Sequence, residues 1–436
     1  MKPRVLIVGT VPYNKKSTSR AFETYFHNWE KECLAQVFSN TKTPVKGHCK
    51  TLFQITDQRM LKALFGSKTD TGKIYNYDDL PDEWKDNSLE VNSTLVSKLY
   101  KIGRRKIPII YLLRKLVWKK KNWCTEKFNK WLDDFKPECI FLSFSDDFFI
   151  SEIALYAAER YNIPIISSVG DDYYFNTKFS LSPFYYIYKN KYRKLTDNVF
   201  RHPGNAIYIG DKIRDKYNSY FHISGETIYL TSNIERREFK KINTENPVIT
   251  YFGNIRGGRN HSLDDIGYAL GKINDNYILN IYSNEPDSKY YGIYKINKNI
   301  CFKGSIPYSD VKSEMLKSDI TVIVEGFSKD DIYKTRYSLS TKAADSLSSG
   351  TAIFVYGSSE CGLIEYMIST NAAEVCTKKS DLETSLKHLM ENGDIQEKYY
   401  KTAIDVTEKN HTIENNSHMF EQLVINTVKG DTKKCP

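Results

Sequence analysis

Arg336, Lys342 and Asp345 fall within one stretch, RYSLSTKAADSLSSGTAIFVY, residues 336–356. Its order of residue types reads as loop, helix, tight stop and buried strand. Ser340 or Thr341 is suited to cap the helix, Ala343, Ala344, Asp345, Leu347 and Ser348 continue it, and Gly350 stands where a left-handed residue ends it. The short apolar run 352–356 suits a strand covered on both faces. A helix start offers free backbone N–H groups and a partial positive charge, and here Arg336 and Lys342 flank it. A carboxylate one turn in, Asp345, can accept hydrogen bonds from a diol. The set suits a nucleoside diphosphate with its ribose. It also suits an ordinary loop and helix of an α/β sheet, and the stretch alone does not decide.

Other residues with chemical potential lie at the ends of apolar runs. Gly9 follows RVLIV, whose composition suits a buried first strand, and a glycine turn before a helix is a frequent substrate cradle. It lacks the G-x-G-x-x-G spacing of a dinucleotide site. Asp171 and Asp172 follow the apolar run 165–169, Asp146 and Asp147 follow 138–144, and Glu325 follows 320–324. Ligands collect beyond the carboxyl ends of parallel strands, so Asp171 or Asp172 is expected to face an acceptor and Glu325 a donor sugar. Loop carboxylates and helix caps are the competing reading. His202, His222 and His261 are isolated and read as surface or packing residues.

The chain has 436 residues, 40% of them hydrophobic, enough for two or three domains with sizeable cores. Its net charge of +10 favours an anionic partner. The eight cysteines are scattered without a C-x-x-C pair, so neither a metal site nor a disulfide framework is expected. No apolar run reaches the ~18 residues needed to span a bilayer. The N-terminus reads as a strand and not as a signal peptide, so a cytoplasmic protein is expected. Residues 91–125 contain no acid, and bases from Lys98 to Lys121 alternate there with large apolar residues, Trp118 and Trp123. That composition suits the surface of an anionic membrane, which would place the protein at the inner face of the plasma membrane. It equally suits a solvated helix packing its apolar side on its own domain. No nucleic-acid motif accompanies the charge, so nucleic acid is not an expected partner.

Apolar runs alternate with helical patterns along most of the chain. Strands are expected at 4–8, 138–144, 165–169, 206–210 and 228–230, with helices through Ala21 to Trp29 (capped within Ser17–Ser19), ending at 131–135, and at 151–160 and 211–220. Residues 40–90 give no clear order. The polar segment 234–247 ends in proline and reads as a linker. A second set follows, with strands at 248–252, 278–282, 300–303, 320–324, 352–356 and 373–376 and helices between them. The expected organisation is an N-terminal domain 1–235, a linker 236–247, a second domain 248–410 and a terminal helix 411–436 that crosses back to the first. Alternation of this kind means doubly wound, mainly parallel sheets.

Two such halves, with an anion site in the second, resemble the GT-B glycosyltransferases, and the order of motifs resembles family 4 (glycosyl transferases group 1). The second half opens with a strand, a glycine and a basic loop, YFGNIRGGRNHS, residues 251–262; CFKGSIPYSDV follows from Cys301; KSDITVIVEG spans 317–326; and SLSTKAADSLSSG runs from Ser338 to Gly350. In the first half, IYIGDKIRDKYNSYF at 207–221 resembles the strand and helix before that family's linker. The resemblance covers most of residues 135–410. It departs where the family often has two glutamates separated by seven residues, positions held here by Tyr337 and Asp345, and where its usual proline is Ser340.

The resemblance implies two Rossmann-like domains facing each other across a cleft, with the donor in the second. It implies a UDP- or GDP-linked sugar bound by Gly253, Gly304, Ile306, Arg336, Ser338, Leu339, Ser340, Lys342 and Asp345. Arg256, Arg259 and Glu325 would be the catalytic set, the two arginines stabilising the leaving diphosphate without a metal. Gly9, Asp171 and Asp172 would lie on the acceptor side. The implied reaction is retaining transfer to a glycan or lipid-linked acceptor in cell-surface polysaccharide synthesis, with no further cofactor. A nucleotide-sugar 2-epimerase of the same fold and a degenerate, non-catalytic binding subunit are the alternatives.

Overall fold

The computed structural model describes residues 2–13, 20–41, 43–64, 70–82 and 107–430. The expected cap at Ser17–Ser19 and the first half of the basic segment, 91–106, lie outside them. The chain forms two compact units. One comprises residues 1–209, 214–228 and 417–436; the other comprises 210–213 and 229–416.

The first unit is built on an eight-stranded sheet in the order β4-β3-β2-β1-β5-β6-β7-β8. Its strands are β1 (Val5–Val8), β2 (Leu34–Phe38), β3 (Thr51–Ile55), β4 (Gly72–Asn76), β5 (Cys139–Ser143), β6 (Ile165–Val169), β7 (Gly204–Tyr208) and β8 (Glu226–Thr227). All neighbours pair in parallel except β3 and β4. Every side chain of β1 is fully buried. A strand covered on both faces therefore reads as the uninterrupted run VLIV, not as an alternation.

Residues 40–90, without order in the sequence, supply β3, the helix Asp57–Leu64 and the antiparallel edge strand β4. The helix Arg20–Tyr25 stops short of Trp29, whose ring packs instead beside Phe26 and Phe420. The nineteen-residue helix Pro183–Arg201, not expected from the sequence, covers the loop after β5, where Tyr192 Oη donates to Ser145 O at 2.9 Å.

The described part of the basic segment is fastened to this unit. Trp118 and Trp123 are each only 1% exposed, so they are core residues and not a membrane belt. Trp118 stacks on Phe149 with ring centroids 3.6 Å apart and donates its indole N–H to Asp57 at 2.6 Å. Arg114 pairs with both Asp57 and Asp147, and Lys115 with Glu152. Among the described residues no helix is long and apolar enough to cross a membrane.

The second unit is built on six parallel strands in the order β11-β10-β9-β12-β13-β14. They are β9 (Ile249–Phe252), β10 (Leu279–Tyr282), β11 (Ile300–Gly304), β12 (Ile320–Val324), β13 (Ala352–Tyr356) and β14 (Glu374–Cys376). In order of appearance this is 3-2-1-4-5-6, the Rossmann arrangement. Helices cover both faces. Ile249, Tyr251, Leu263, Ile266 and Leu270 anchor one apolar layer; Ile323, Leu347, Ile353, Ile364 and Met367 anchor the other. Residues 234–247 carry no regular structure and are tied to this unit. Arg237 N donates to Ser349 O, Ile242 N donates to Gln396, and Lys240 pairs with the buried Asp319.

Candidate nucleotide site in the second unit

In a 3-2-1-4-5-6 sheet the connections leave the two central strands in opposite directions, opening a crevice at their carboxyl ends. Here those strands are β9 and β12, paired through Ile249–Ile320 and Thr250–Thr321. Gly253 is the first residue beyond β9, and Glu325 is the first beyond β12. A third wall is the start of the helix Thr341–Ser349, which precedes β13.

That helix begins where its cap requires. Ser340 is extended, and its Oγ accepts the N–H of Lys342 at 3.3 Å. Gly350 closes it in the left-handed region at φ 78°. Lys342 sends its side chain back over the loop after β9, and Nζ donates to Tyr251 Oη at 2.7 Å. The path is open only because residue 253 has no side chain. A Cβ there would lie 2.3 Å from Lys342 Cε and 2.5 Å from Nζ, and Gly253 holds φ +130° besides. Burial, and then the charge of Arg259, pull the Lys342 ammonium down to about 7, against the opposing pull of Glu325.

Arg259 opens the helix Arg259–Ile273, and Nη2 lies 2.8 Å from each carboxylate oxygen of Glu325. Only Oε1 receives it in hydrogen-bond geometry; Oε2 is buried with no hydrogen bond. Glu325 is 2% exposed. Its backbone is held by the hydroxyl of Ser262, which donates to Glu325 O at 2.7 Å. Burial acts to lower the Arg259 guanidinium, but Glu325 more than offsets it and holds the group above its ordinary value.

Arg256 is engaged on the rim by Glu285, Nε and Nη2 reaching its two oxygens at 2.6 and 2.8 Å. This forked pair holds the Arg256 guanidinium above, and the Glu285 carboxyl below, their usual ranges.

The structure thus brings Gly253, Arg259, Glu325, Ser340 and Lys342 to one crevice, with Arg256 at its edge. Gly304 ends β11 and accepts the N–H of Ser283, while Ile306 packs with Phe252 and Met315 on the β10–β11 side of the same edge. Arg336 lies over the Tyr333 ring at 3.7 Å, Ser338 N donates to Thr335 O, and Leu339 packs into the core around Ala343 and Leu347. Asp345 is 7% exposed and accepts from Ser232 Oγ at 2.8 Å. One of its carboxylate oxygens, Oδ1, thus serves a contact within the protein. Tyr251 and Glu285, which hold Lys342 and Arg256, had no signal in the sequence. One reads as a strand residue and the other as a loop acid.

In the first unit, Gly9 leaves β1 at φ +93°, and a Cβ there would meet Ile150 and the carbonyl of Ser143 at 2.7 and 2.8 Å. It therefore packs backbone to backbone at that sheet's own crevice, between β1 and β5. Asp172 accepts from Phe175 N at 2.8 Å and Tyr217 Oη at 3.1 Å, which gives it a turn-holding part. Asp171 is exposed and accepts from Tyr173 Oη at 3.3 Å. Asp146 and Asp147 are bonded by Tyr111 and Arg114. Burial first, with Asp146 adding to it, raises the Asp147 carboxyl despite Arg114. Among the described residues no three His, Cys, Asp or Glu side chains are grouped to hold a metal ion.

No protein-family model matches the chain, and no curated protein matches it in sequence. Solved structures do match in fold. A sucrose-phosphate synthase from Thermosynechococcus elongatus superposes with a TM-score of 0.59 at 10% identity, covering 99% of this chain and 100% of its own. Anabaena HepE, solved in complex with UDP, gives 0.58 at 9% identity, covering 97% and 100%. A TarM variant from S. aureus, solved with fondaparinux, α-GlcNAc-glycerol and UDP, gives 0.56 at 10% identity, covering 97% and 100%. At such identities the likeness is one of architecture, and with both sheets in Rossmann-like order the chain has the GT-B fold.

Proposed function

We propose that this chain is a glycosyltransferase. It takes a sugar from a UDP- or GDP-linked donor and transfers it to a glycan or lipid-linked acceptor in the making of a cell-surface polysaccharide. The observation that carries the reading is the crevice between β9 and β12. There Arg259 and Lys342 meet a capped helix start across a glycine with no side chain to fill the space. HepE and the TarM variant were solved in complex with UDP, which agrees with a nucleoside diphosphate at such a place.

Glycosyl transfer from a nucleotide sugar loads negative charge onto the leaving diphosphate as the glycosidic bond breaks. Guanidinium groups and helix N–H donors stabilise that charge. Arg259 is held ready by Glu325, and an arriving diphosphate would share or replace that carboxylate. Lys342 is poised to gain a proton when an anion arrives, since the anion favours its charged form. This supply of cations supports a metal-independent reaction. Retention of anomeric configuration and a cytoplasmic location belong to the same reading, as does an anionic membrane as partner of the basic segment. Arg256, half exposed and fastened to Glu285, is the weaker of the two arginines.

The engagement of Asp345 by Ser232 favours a second reading, a binding subunit without turnover. Incubation with a panel of UDP- and GDP-sugars and candidate acceptors separates the two. The proposal expects transfer that persists with chelator. Release of a 2-epimerised sugar without acceptor would make the chain an epimerase. Nucleotide binding without any product would make it a binding subunit. Activity lost to chelator and restored by magnesium or manganese would end the metal-independent reading.

A further inference from the structure

The acid-free segment reaching Thr125 has a counterpart. From Tyr173 to Thr196 the chain also contains no aspartate or glutamate, while carrying Lys178, Lys189, Lys191, Arg193 and Lys194. The fold lays these two segments side by side in the first unit. The helices Pro108–Val117 and Pro183–Arg201 pack together, with Tyr111 stacked on Tyr188 at 4.9 Å in the seam. Each turns large apolar side chains to solvent.

On the first helix Ile109, Leu113 and Leu116 are 38%, 50% and 54% exposed, at spacings of four and three that make one stripe. On the second, Phe184 and Ile187 are exposed, and in the turn leading into it Phe179 and Leu181 are 85% and 90% exposed. This turn is not loose chain. Lys178 N donates to Tyr185 Oη at 2.8 Å and Ser180 N to Tyr186 Oη at 3.3 Å. Ser182 N donates to Ser180 Oγ at 3.2 Å, so hydrogen bonds at 178, 180 and 182 bracket the outward side chains of Phe179 and Leu181. Lys119, Lys120, Lys121, Lys178, Lys191 and Lys194 are exposed around these stripes.

We propose that this two-helix face is a docking surface for a bilayer rich in anionic lipid. Phe179 and Leu181 enter the acyl boundary, and the lysines meet the headgroups. Charge selects this occupant. A second copy of the chain would set one lysine-rich face against another, and nucleic acid would leave the apolar stripes facing water. The surface also adjoins the carboxyl edge of the first sheet. Tyr188 Oη donates to Asp146 O at 3.3 Å, and Arg114 reaches Asp147, both in the loop that follows β5 beside Gly9. A lipid-borne molecule would therefore arrive at the edge where that unit's crevice opens. The inference rests on the anionic-membrane part of the proposed function, which it places on this face; lipid binding is read separately from sugar transfer.

The test is flotation of the full chain with vesicles of phosphatidylglycerol or phosphatidylcholine, at low and high salt. Wild type should float with phosphatidylglycerol only and be released by salt. The double variant Phe179→Ser/Leu181→Ser, whose side chains support no core, should keep the wild-type unfolding transition and bind at least about tenfold more weakly. Lys178→Glu with Lys191→Glu should also weaken binding, by roughly fivefold or more per base. The proposal fails if wild type stays unbound at low salt or binds both lipids equally. It also fails if the serine variant floats like wild type. A concentration-dependent dimer lost in the serine variant, without lipid binding, would assign the face to a second copy instead.

Discussion

Removing Arg259 should cost the fold as well as the chemistry, and the cost is separable. Glu325 is 2% exposed, and Arg259 alone among the described cations is in ionic contact with it. In Arg259→Met the carboxylate stays buried without its partner, a situation that costs about 3–5 kcal/mol. Two features place the expectation near the lower end, about 3 kcal/mol. The Arg259 side chain is itself one-fifth exposed, and loss of its charge lifts the Lys342 ammonium, which then supplies part of the compensation. In Arg259→Met/Glu325→Gln no charge is stranded, and stability should return to within about 1 kcal/mol of wild type, leaving a coupling of at least about 2 kcal/mol. The chain contains its own control. Its tryptophans, at 29, 84, 118, 123 and 131, all precede residue 210, and the described ones, Trp29, Trp118, Trp123 and Trp131, belong to the first unit. Urea unfolding followed by tryptophan fluorescence should not move in any of these variants, while the far-ultraviolet dichroism transition of the second unit should shift. A single-variant loss under about 1 kcal/mol, or a double variant as weak as the summed singles, would refute the buried-pair reasoning.

Lys342 gives a pH signature. Its folded-state value is lowered from 10.5 to about 7, so between those values the unfolded chain binds the extra proton and stability must rise with pH. Relative to Lys342→Met, wild type should gain stability from pH 7 to 10 and show no such gain from pH 5 to 6.5; parallel curves across both ranges would contradict the burial. Gly253→Ala should abolish nucleotide binding by driving Lys342 out of its path. A second change, Lys342→Ala, should relieve the clash but leave the φ strain, which costs about 1–3 kcal/mol; equal stability of the two would show that the clash is not real. Asp345→Ala should weaken UDP or GDP binding by about 1.5–3 kcal/mol, and unchanged affinity in calorimetry would confine Asp345 to its contact with Ser232.

The elements that could be read from the sequence are those with local punctuation. Ser340 and Gly350 mark both ends of one helix, and the runs ending at Phe252 and Val324 mark the strands on either side of the crevice. Both signals depend only on neighbouring residues. What escaped depends on distant ones. β4 pairs antiparallel at the sheet edge and exposes Lys73 and Asn76, so it has neither the apolar run of a central strand nor a clean alternation. The helix Pro183–Arg201 shows apolar residues around most of its circumference, because Tyr185 and Tyr192 face the core while Phe184 and Ile187 face water. Trp118 looked like an interfacial residue because its partners, Phe149 and Asp57, come from elsewhere in the chain. The same holds for Asp345, since Ser232 lies 113 residues away.

The central claim is a nucleoside diphosphate at the carboxyl ends of β9 and β12. Calorimetric titration of the full chain with UDP and with GDP, followed by amide hydrogen exchange at saturation, tests it most directly. The account predicts saturable binding of at least one nucleotide. It predicts slowed exchange at 253–260 and 338–343, no change around the Tyr111–Tyr188 seam, and loss of the heat in Lys342→Met. Absence of binding to both nucleotides, or protection that falls outside those two segments, would contradict it.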